Sequence, residues 1–367
     1  MVDTLRKLAG HLRCWLSSCW SFKSGASASW IGTIIGGLLA GNSSKTNGAH
    51  NKSAGLEFLA KAGGLLFIVA ALLGTAVILH LILLLIGEGP LQNYWLSLQS
   101  ISLTTLGVVF AAALTCGLMF SWFFEINVFS LNQFYRNRLV RCYLGTTRWA
   151  AGFRKLQPFI DFDREDDFKL GELRDNFRAP FQFFNCALNL SGGSDLAVHT
   201  RQSASFSLTP LRCGSDRRKL GYAPTAGSSG CFADGVTVGQ AMAISGAAAS
   251  PNMGYNTSPL VALLLTLFNV RLGWWFPNPG QRLWKQSGLG LSLYYLLREL
   301  TGSADEDNFF VNVSDGGHFE NLGVYELVRR KCKVIIAADA ECDKFLQFGS
   351  MGNLVRIWET VPSFARP

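Results

Sequence analysis

The sequence predicts a membrane-bound α/β protein, in which a two-helix transmembrane hairpin precedes a domain built on a parallel sheet. Two long stretches within the first third of the chain are apolar and carry no charge. Charged residues make up only 16% of the chain, against about 25% in a typical soluble domain. A strand, helix and strand pattern near the C-terminus predicts the parallel sheet, because this order is typical of a βαβ unit.

Residues 1–56 form a basic segment that is rich in Ser, Gly and Trp. Its apolar run, residues 30–40, is too short to cross a bilayer as a helix. Arg, Trp and Cys residues interrupt the remainder, so the segment does not have the pattern of a secretory signal.

Residues 57–124 are predicted to form the hairpin. The stretches 63–87 and 101–124 contain no charged residue and are each long enough to span a bilayer. The link between them contains Tyr94 and Trp95, which favour the membrane interface, and no Lys or Arg. Basic residues flank the hairpin on both sides, so the positive-inside rule places both long flanks in the cytoplasm. The alternative is a pair of buried helices in a soluble core.

Residues 125–367 are predicted to form the α/β domain. The apolar run 181–190 is either a strand or the buried edge of a helix, and the runs 259–269 and 291–300 predict buried helices, the second closed by Gly302. The formal net charge of +8 fits an anionic lipid surface better than nucleic acid, because basic residues flank the apolar spans.

The C-terminal part has the clearest pattern. Residues 309–313 predict a strand, residues 319–330 a helix and residues 333–339 a second buried strand. Two strands joined by a crossover helix pair in parallel, so a parallel sheet is expected.

The cysteines and histidines indicate neither disulfides nor metal. The nine cysteines are odd in number and form no CxxC pair, and the five histidines are scattered. We therefore expect a reducing, cytoplasm-facing domain with no metal site and no cofactor.

A short turn follows the predicted strand 309–313. Asp315 lies at the strand's C-terminal end, where functional residues collect in open parallel sheets. Gly316 and Gly317 would allow unusual backbone angles and the close approach of a ligand. The alternative is a plain turn in which Asp315 or Ser314 caps the following helix.

Residues 314–323, SDGGHFENLG, resemble the D-G-G/A block of the patatin-like phospholipase family, in a bacterial, membrane-anchored branch. Residues 243–251 resemble that family's small-residue segment upstream of the aspartate. Residues 134–139 (FYRNRL) and 269–273 (NVRLG) also resemble that branch. The resemblance covers roughly residues 130–350, which would be the C-terminal part of the family's domain.

The resemblance implies an α/β core and a Ser-Asp dyad, in which a serine attacks an ester carbonyl and an aspartate serves as its base. It implies a lipid acyl hydrolase of the phospholipase or lysophospholipase type, acting on membrane lipids without a cofactor. Asp315 would be the base, and Gly316 and Gly317 would form its turn. Three further residues are expected to line the site: Ser245, His318 and Asn321.

The family's nucleophile lies in G-x-S-x-G at a strand-to-helix elbow, and this chain contains no such pattern. The nearest substitutes, Ser229 and Ser245, are not placed at an elbow by the sequence. Two explanations stay open. Either the chain is the C-terminal part of a longer protein whose start was lost or split, so that an N-terminal fragment carries the nucleophile and the sheet of this chain is incomplete on its N-terminal side, or the chain is an inactive relative that serves as a membrane interaction module. A transporter is disfavoured, because no charged residue lies within the spans.

Overall fold

The computed structural model describes residues 70, 72–79, 82, 102–145, 148, 152, 154–157, 163–174, 180–193, 201–251 and 259–360. The chain divides into two units, Met1–Leu103 and Thr104–Pro367. In the first unit, residues 72–79 are helical. The rest of the first predicted span, apart from single helical residues, and the whole segment 1–56 lie outside the described residues.

The second predicted apolar stretch is a helix, α1, which runs from Leu103–Phe123. It is uncharged, and its length and composition suffice to cross a membrane. Ser121 near its end is the one buried residue, so α1 is not a core helix of the domain. A second helix of this kind is not found among the described residues, and the two-helix hairpin is therefore not shown.

Further helices follow in the second unit: α2 Leu131–Leu139, α3 Val238–Ser245, α4 Pro259–Leu267, α5 Ser292–Leu300, α6 Tyr325–Arg329 and α7 Gly349–Thr360. The start of α3 is capped by Thr237, whose Oγ1 accepts a hydrogen bond from the Gln240 N–H at 3.2 Å. Soon after α5 ends, Gly302 adopts a φ of 61°, a left-handed conformation that glycine tolerates. The predicted helices 259–269 and 291–300 are thus present with slightly shorter bounds.

Six strands form one sheet: β1 Phe184–Asn189, β2 Ser203–Leu208, β3 Arg212–Gly214, β4 Tyr222–Pro224, β5 Trp274–Pro277 and β6 Phe310–Asp315. Their order is β4-β3-β2-β1-β6-β5, and every neighbouring pair is antiparallel. The predicted mixed α/β class is confirmed, and the run 181–190 is a strand.

The predicted parallel βαβ unit is not present. Residues 333–339 form no strand, and the side chains of Val334 and Ile336 are 81% and 91% exposed. Both edges of β6 are already hydrogen-bonded, to β1 on one side and to β5 on the other. Since a strand has only two edges, β6 has none left for residues 333–339.

The two faces of the sheet differ in chemistry because side chains alternate along each strand. One face carries the main apolar core, where the Phe206 and Phe276 rings stack 6.1 Å apart. The other face is buried but polar: Ser205 Oγ donates a hydrogen bond to Glu326 Oε1 at 2.5 Å. Glu326 belongs to the segment after β6, so this segment packs against the polar face directly after the turn at Asp315.

Candidate functional site

Asp315 is the last residue of β6 and is half-buried. By strand alternation its side chain lies on the apolar-core face with Val313, beside Cys186 in the antiparallel pair. Burial, and then the negative charge of Asp315, hold the pKa of the Cys186 thiol well above its ordinary value. Cys186 therefore stays a protonated thiol and is no substitute nucleophile.

The turn after Asp315 is held by its own carboxylate, because Asp315 Oδ1 accepts a hydrogen bond from the Gly317 N–H at 2.8 Å. Neither Gly316 nor Gly317 has a positive φ, so the expected unusual backbone angles are absent. Gly316 is needed for close packing instead. A Cβ atom there would lie 2.5 Å from the carbonyl oxygen of Asn185 on β1.

Ser245 lies beside this turn, at the C-terminal end of α3. Its Oγ donates a hydrogen bond to the Asn185 carbonyl at 2.7 Å, the same oxygen that limits space at Gly316. A nucleophile elbow places serine before a helix N-terminus, whereas the C-terminus of a helix disfavours a developing alkoxide. Ser245 is thus a neighbour of Asp315 without the surroundings of an activated nucleophile.

Tyr135 on α2 is a site residue that the sequence analysis did not single out. Its hydroxyl lies 3.0 Å from the position that a Cβ on Gly246 would take, next to Ser245. Burial raises the pKa of the Tyr135 hydroxyl, and the charge of Asp315 raises it further. The signal in the sequence was the block 134–139, which contains this tyrosine. Asp315, Ser245 and Tyr135 therefore form one group.

Helix α2 is anchored to the start of α3 by Asp167, which brings Tyr135 to this group. Arg136 lies 2.6 Å from Asp167 Oδ2, and the Gly239 N–H donates to Oδ1 at 2.8 Å. The carboxylate at a helix N-terminus also complements the helix dipole. These contacts join α2 and α3 through a side chain that belongs to neither.

His318 lies on the other side of the sheet from Asp315. It is buried, and its Nδ1 lies 2.8 Å from the hydroxyl of Ser314, which is fully buried. The backbone of Ala248 lies near the ring and opposes the fall of its pKa. The arrangement connects the small-residue segment 243–251 to the polar face of the sheet, so His318 supports the turn and does not line the face at Asp315.

The remainder of the resembling block also serves the fold. The Glu320 carboxylate accepts hydrogen bonds from the backbone N–H groups of Leu322, Val324 and Tyr325 at 2.5, 2.8 and 3.1 Å. This cap starts α6 at Tyr325, which explains why the predicted helix 319–330 is shorter. Asn321, expected to line the site, is exposed and donates to Glu341 Oε1 at 2.5 Å.

Lowering the pH below about 6.5 is expected to destabilise the domain through His318. Burial lowers the pKa of His318 from its ordinary value of 6.5, against the opposing charge of Asp315. The unfolded chain therefore binds a proton in a range where the folded chain does not, and stability is lost as the pH falls through that range. Thermal unfolding at about pH 7.5 and pH 5.5 should show a smaller difference for His318→Gln than for the wild type. An unchanged difference would contradict the assignment.

No protein-family model, curated protein or solved structure matches the chain. The resemblance to patatin-like phospholipases thus stands on the residues of the block 314–323 and its supporting segments.

Proposed function

We propose that this chain is the membrane-bound part of a lipid acyl hydrolase of the phospholipase or lysophospholipase type, to which it contributes Asp315 as the base. One observation carries the proposal. Asp315 has one carboxylate oxygen fixed by the Gly317 N–H, and no group among the described residues donates a hydrogen bond to the other oxygen. A fixed, half-buried carboxylate with one open oxygen is suited to accept a proton from a serine hydroxyl.

The chemistry needs this serine from elsewhere. As the serine oxygen bonds to the ester carbonyl carbon, its proton passes to the aspartate, which then delivers it to the departing alcohol. Water cleaves the resulting acyl-serine by the same route and releases the fatty acid. The Ser245 hydroxyl donates a hydrogen bond to a backbone carbonyl, and Ser314 is fully buried, so neither serine is suited to attack an ester. We assign the nucleophile to an N-terminal part of the protein that was lost or split from this chain, as the resemblance implies.

Residues 333–339 support a partner fragment of this kind. Their sequence, KVIIAAD, has the composition of a buried strand, yet Val334 and Ile336 are almost fully exposed. An exposed apolar segment with strand propensity is a template for pairing with another strand. We assign this segment to the contact with the fragment that carries the nucleophile.

The membrane location belongs to the same proposal. Helix α1 and the predicted span 63–87 would form a two-span hairpin with both long flanks in the cytoplasm. The hairpin would hold Asp315 against its lipid substrate in the bilayer. The proposal requires no cofactor.

The second candidate function is a catalytically inactive membrane interaction module. The absence of G-x-S-x-G favours it, and so does the position of Ser245 at a helix C-terminus. In this alternative Asp315 would act only as the cap of the turn that follows β6.

Labelling with a fluorophosphonate serine probe tests both candidates. The tagged chain is purified in detergent from its native membranes and labelled as wild type, Asp315→Asn and Asp307→Asn. Asp307 is a matched control because its carboxylate is 60% exposed and pairs only with the exposed Lys219 among the described residues. We expect no label on the chain itself and a labelled, co-purifying polypeptide whose labelling is lost in Asp315→Asn alone.

The other outcomes are equally informative. A label on the chain that is lost in Asp315→Asn would place an activated serine inside it and overturn the fragment assignment. The absence of any label that depends on Asp315, from correctly folded protein, would support the inactive module.

A further inference from the structure

The end of α1 is built into the α/β domain by hydrogen bonds from two other elements. The backbone N–H of Leu293, at the start of α5, donates to Ser121 Oγ at 2.7 Å. Asn269, just after α4, donates through Nδ2 to the carbonyl oxygens of Phe129 and Ile126 at 2.8 and 3.3 Å. The base of α1, the end of α4 and the start of α5 therefore form one rigid corner.

Apolar side chains surround this corner and face outward. Six of them, called the apolar collar below, are between 39% and 61% exposed: Phe124, Val128, Phe129, Phe134, Leu267 and Phe268. Exposure of a large apolar side chain costs about 1.5–3 kcal/mol relative to burial. The Phe124 and Phe129 rings lie 5.1 Å apart, and Asn269, next to Phe268, contacts the Phe129 carbonyl. Clustered exposed apolar side chains of this kind mark a contact with a membrane or with another protein.

Two observations select the membrane. The collar continues directly from α1, whose last residue, Phe123, is itself 73% exposed. On α2, the Arg138 guanidinium lies 4.9 Å from the centre of the Phe134 ring. An apolar surface that continues a spanning helix and ends in an aromatic and arginine pair matches the boundary between acyl chains and anionic headgroups.

We propose that the apolar collar is embedded in one leaflet of the bilayer around the base of α1, with Arg138 at the level of anionic lipid headgroups. The end of α4 and the segment from Phe124 to Phe134 then lie among acyl chains. This inference rests on the membrane location proposed above and is independent of ester hydrolysis.

The embedded collar has a consequence for Asp315. Tyr135, which lies close to Asp315, follows Phe134 of the collar directly in sequence. Tyr135 is thus the member of the group at Asp315 that lies next to the collar in sequence.

Photocrosslinking to lipid tests the collar. The photoreactive analogue p-benzoyl-phenylalanine replaces Phe129 or Phe268 in the full chain, which is reconstituted into vesicles of phosphatidylethanolamine and radiolabelled phosphatidylglycerol. Phe110, in the middle of α1, is the reference for the bilayer interior. Phe309 is the matched control, because its side chain is 43% exposed and that of Phe268 is 45% exposed.

The control position differs from the collar in its surroundings. Phe309 lies just before β6, outside the segments that carry the collar. Its ring lies 5.6 Å from the Arg282 guanidinium. We expect lipid adducts at Phe129 and Phe268 at the level of Phe110, and about tenfold above Phe309, because acyl chains are the neighbours of a ring in the leaflet and water is the neighbour of an exposed ring.

Adducts at Phe110 but not at Phe129 and Phe268 would overturn the collar and leave the spanning helix in place. The absence of adducts at Phe110 would overturn the membrane location as well. Adducts of twice the chain's mass at Phe129 or Phe268 would identify a second copy as the occupant. The same adduct pattern is expected in Asp315→Asn, so failure of the hydrolase proposal is measured separately.

Discussion

Replacement of Arg271 by methionine is expected to lower the free energy of unfolding by about 3–5 kcal/mol. The side chains of Arg271 and Glu299 are fully buried, and Nη1 of Arg271 lies 3.3 Å from Oε2 of Glu299. Trp275 Nε1 donates to the same carboxylate oxygen at 3.1 Å. Without Arg271, the carboxylate would keep its burial and lose its counter-charge, and a buried unpaired charge is strongly destabilising.

The pH dependence of this loss identifies its cause. Burial raises the pKa of Glu299 above 4.5, and the charge of Arg271 opposes the rise. A folded-state pKa above the unfolded value means that the folded chain holds the proton more firmly, so stability falls as the pH rises through this range. In Arg271→Met the pKa of Glu299 should rise further. The loss of stability is therefore expected to be larger at about pH 8 than at about pH 5.

Denaturant unfolding of the detergent-solubilised chain measures both effects. The double variant Arg271→Met/Glu299→Leu should recover most of the loss, because no buried charge remains. Lys219→Met is the matched control, since its pair with Asp307 is about half exposed, and it should cost less than about 1 kcal/mol. A variant Arg271→Met as stable as the wild type would contradict the buried pair.

Local patterns in the sequence predicted the elements of the fold better than their pairing. The apolar run of α1 and the helix α5 are present because composition and periodicity decide such helices locally. The strand composition of residues 333–339 predicted a βαβ unit, and this prediction was wrong. The two edges of β6 are hydrogen-bonded to β1 and β5, so no edge is left for a further strand. The partners of a strand depend on residues far away in sequence, which no local pattern contains.

In the candidate site, too, local features were predicted from the sequence and contacts between distant residues were not. The residues around Asp315 predicted that it lies at the end of a strand, and the structure places it there. Tyr135 was missed because the fold brings it to Asp315 across about half of the chain. The close packing of Gly316 was missed for a related reason: it is set by the Asn185 carbonyl on β1, and a sequence motif indicates glycine without indicating what lies against it.

Gly316→Ala is accordingly expected to be much more disruptive than Gly317→Ala. A Cβ on residue 316 would lie 2.5 Å from the Asn185 oxygen and 3.1 Å from its carbonyl carbon, and these backbone atoms can move only if β1 moves. We expect a loss of about 1–3 kcal/mol in the free energy of unfolding, as for other overpacked sites. The same oxygen accepts the Ser245 hydroxyl, so the displacement would also separate Ser245 from the turn that holds Asp315.

Gly317→Ala meets a softer obstacle and serves as the matched variant. Its Cβ would lie 2.7 Å from Asn321 Oδ1, the end of an exposed side chain that can turn away, so the loss should stay below about 1 kcal/mol. Denaturant unfolding of the two variants side by side gives the comparison, with Gly317→Ala/Asn321→Ala expected to approach the wild type. Equal losses in Gly316→Ala and Gly317→Ala would contradict the close approach to β1. A larger loss in Gly316→Ala would mean that Gly316 packs the turn against the sheet, while the N–H of residue 317 that orients Asp315 is kept in both variants.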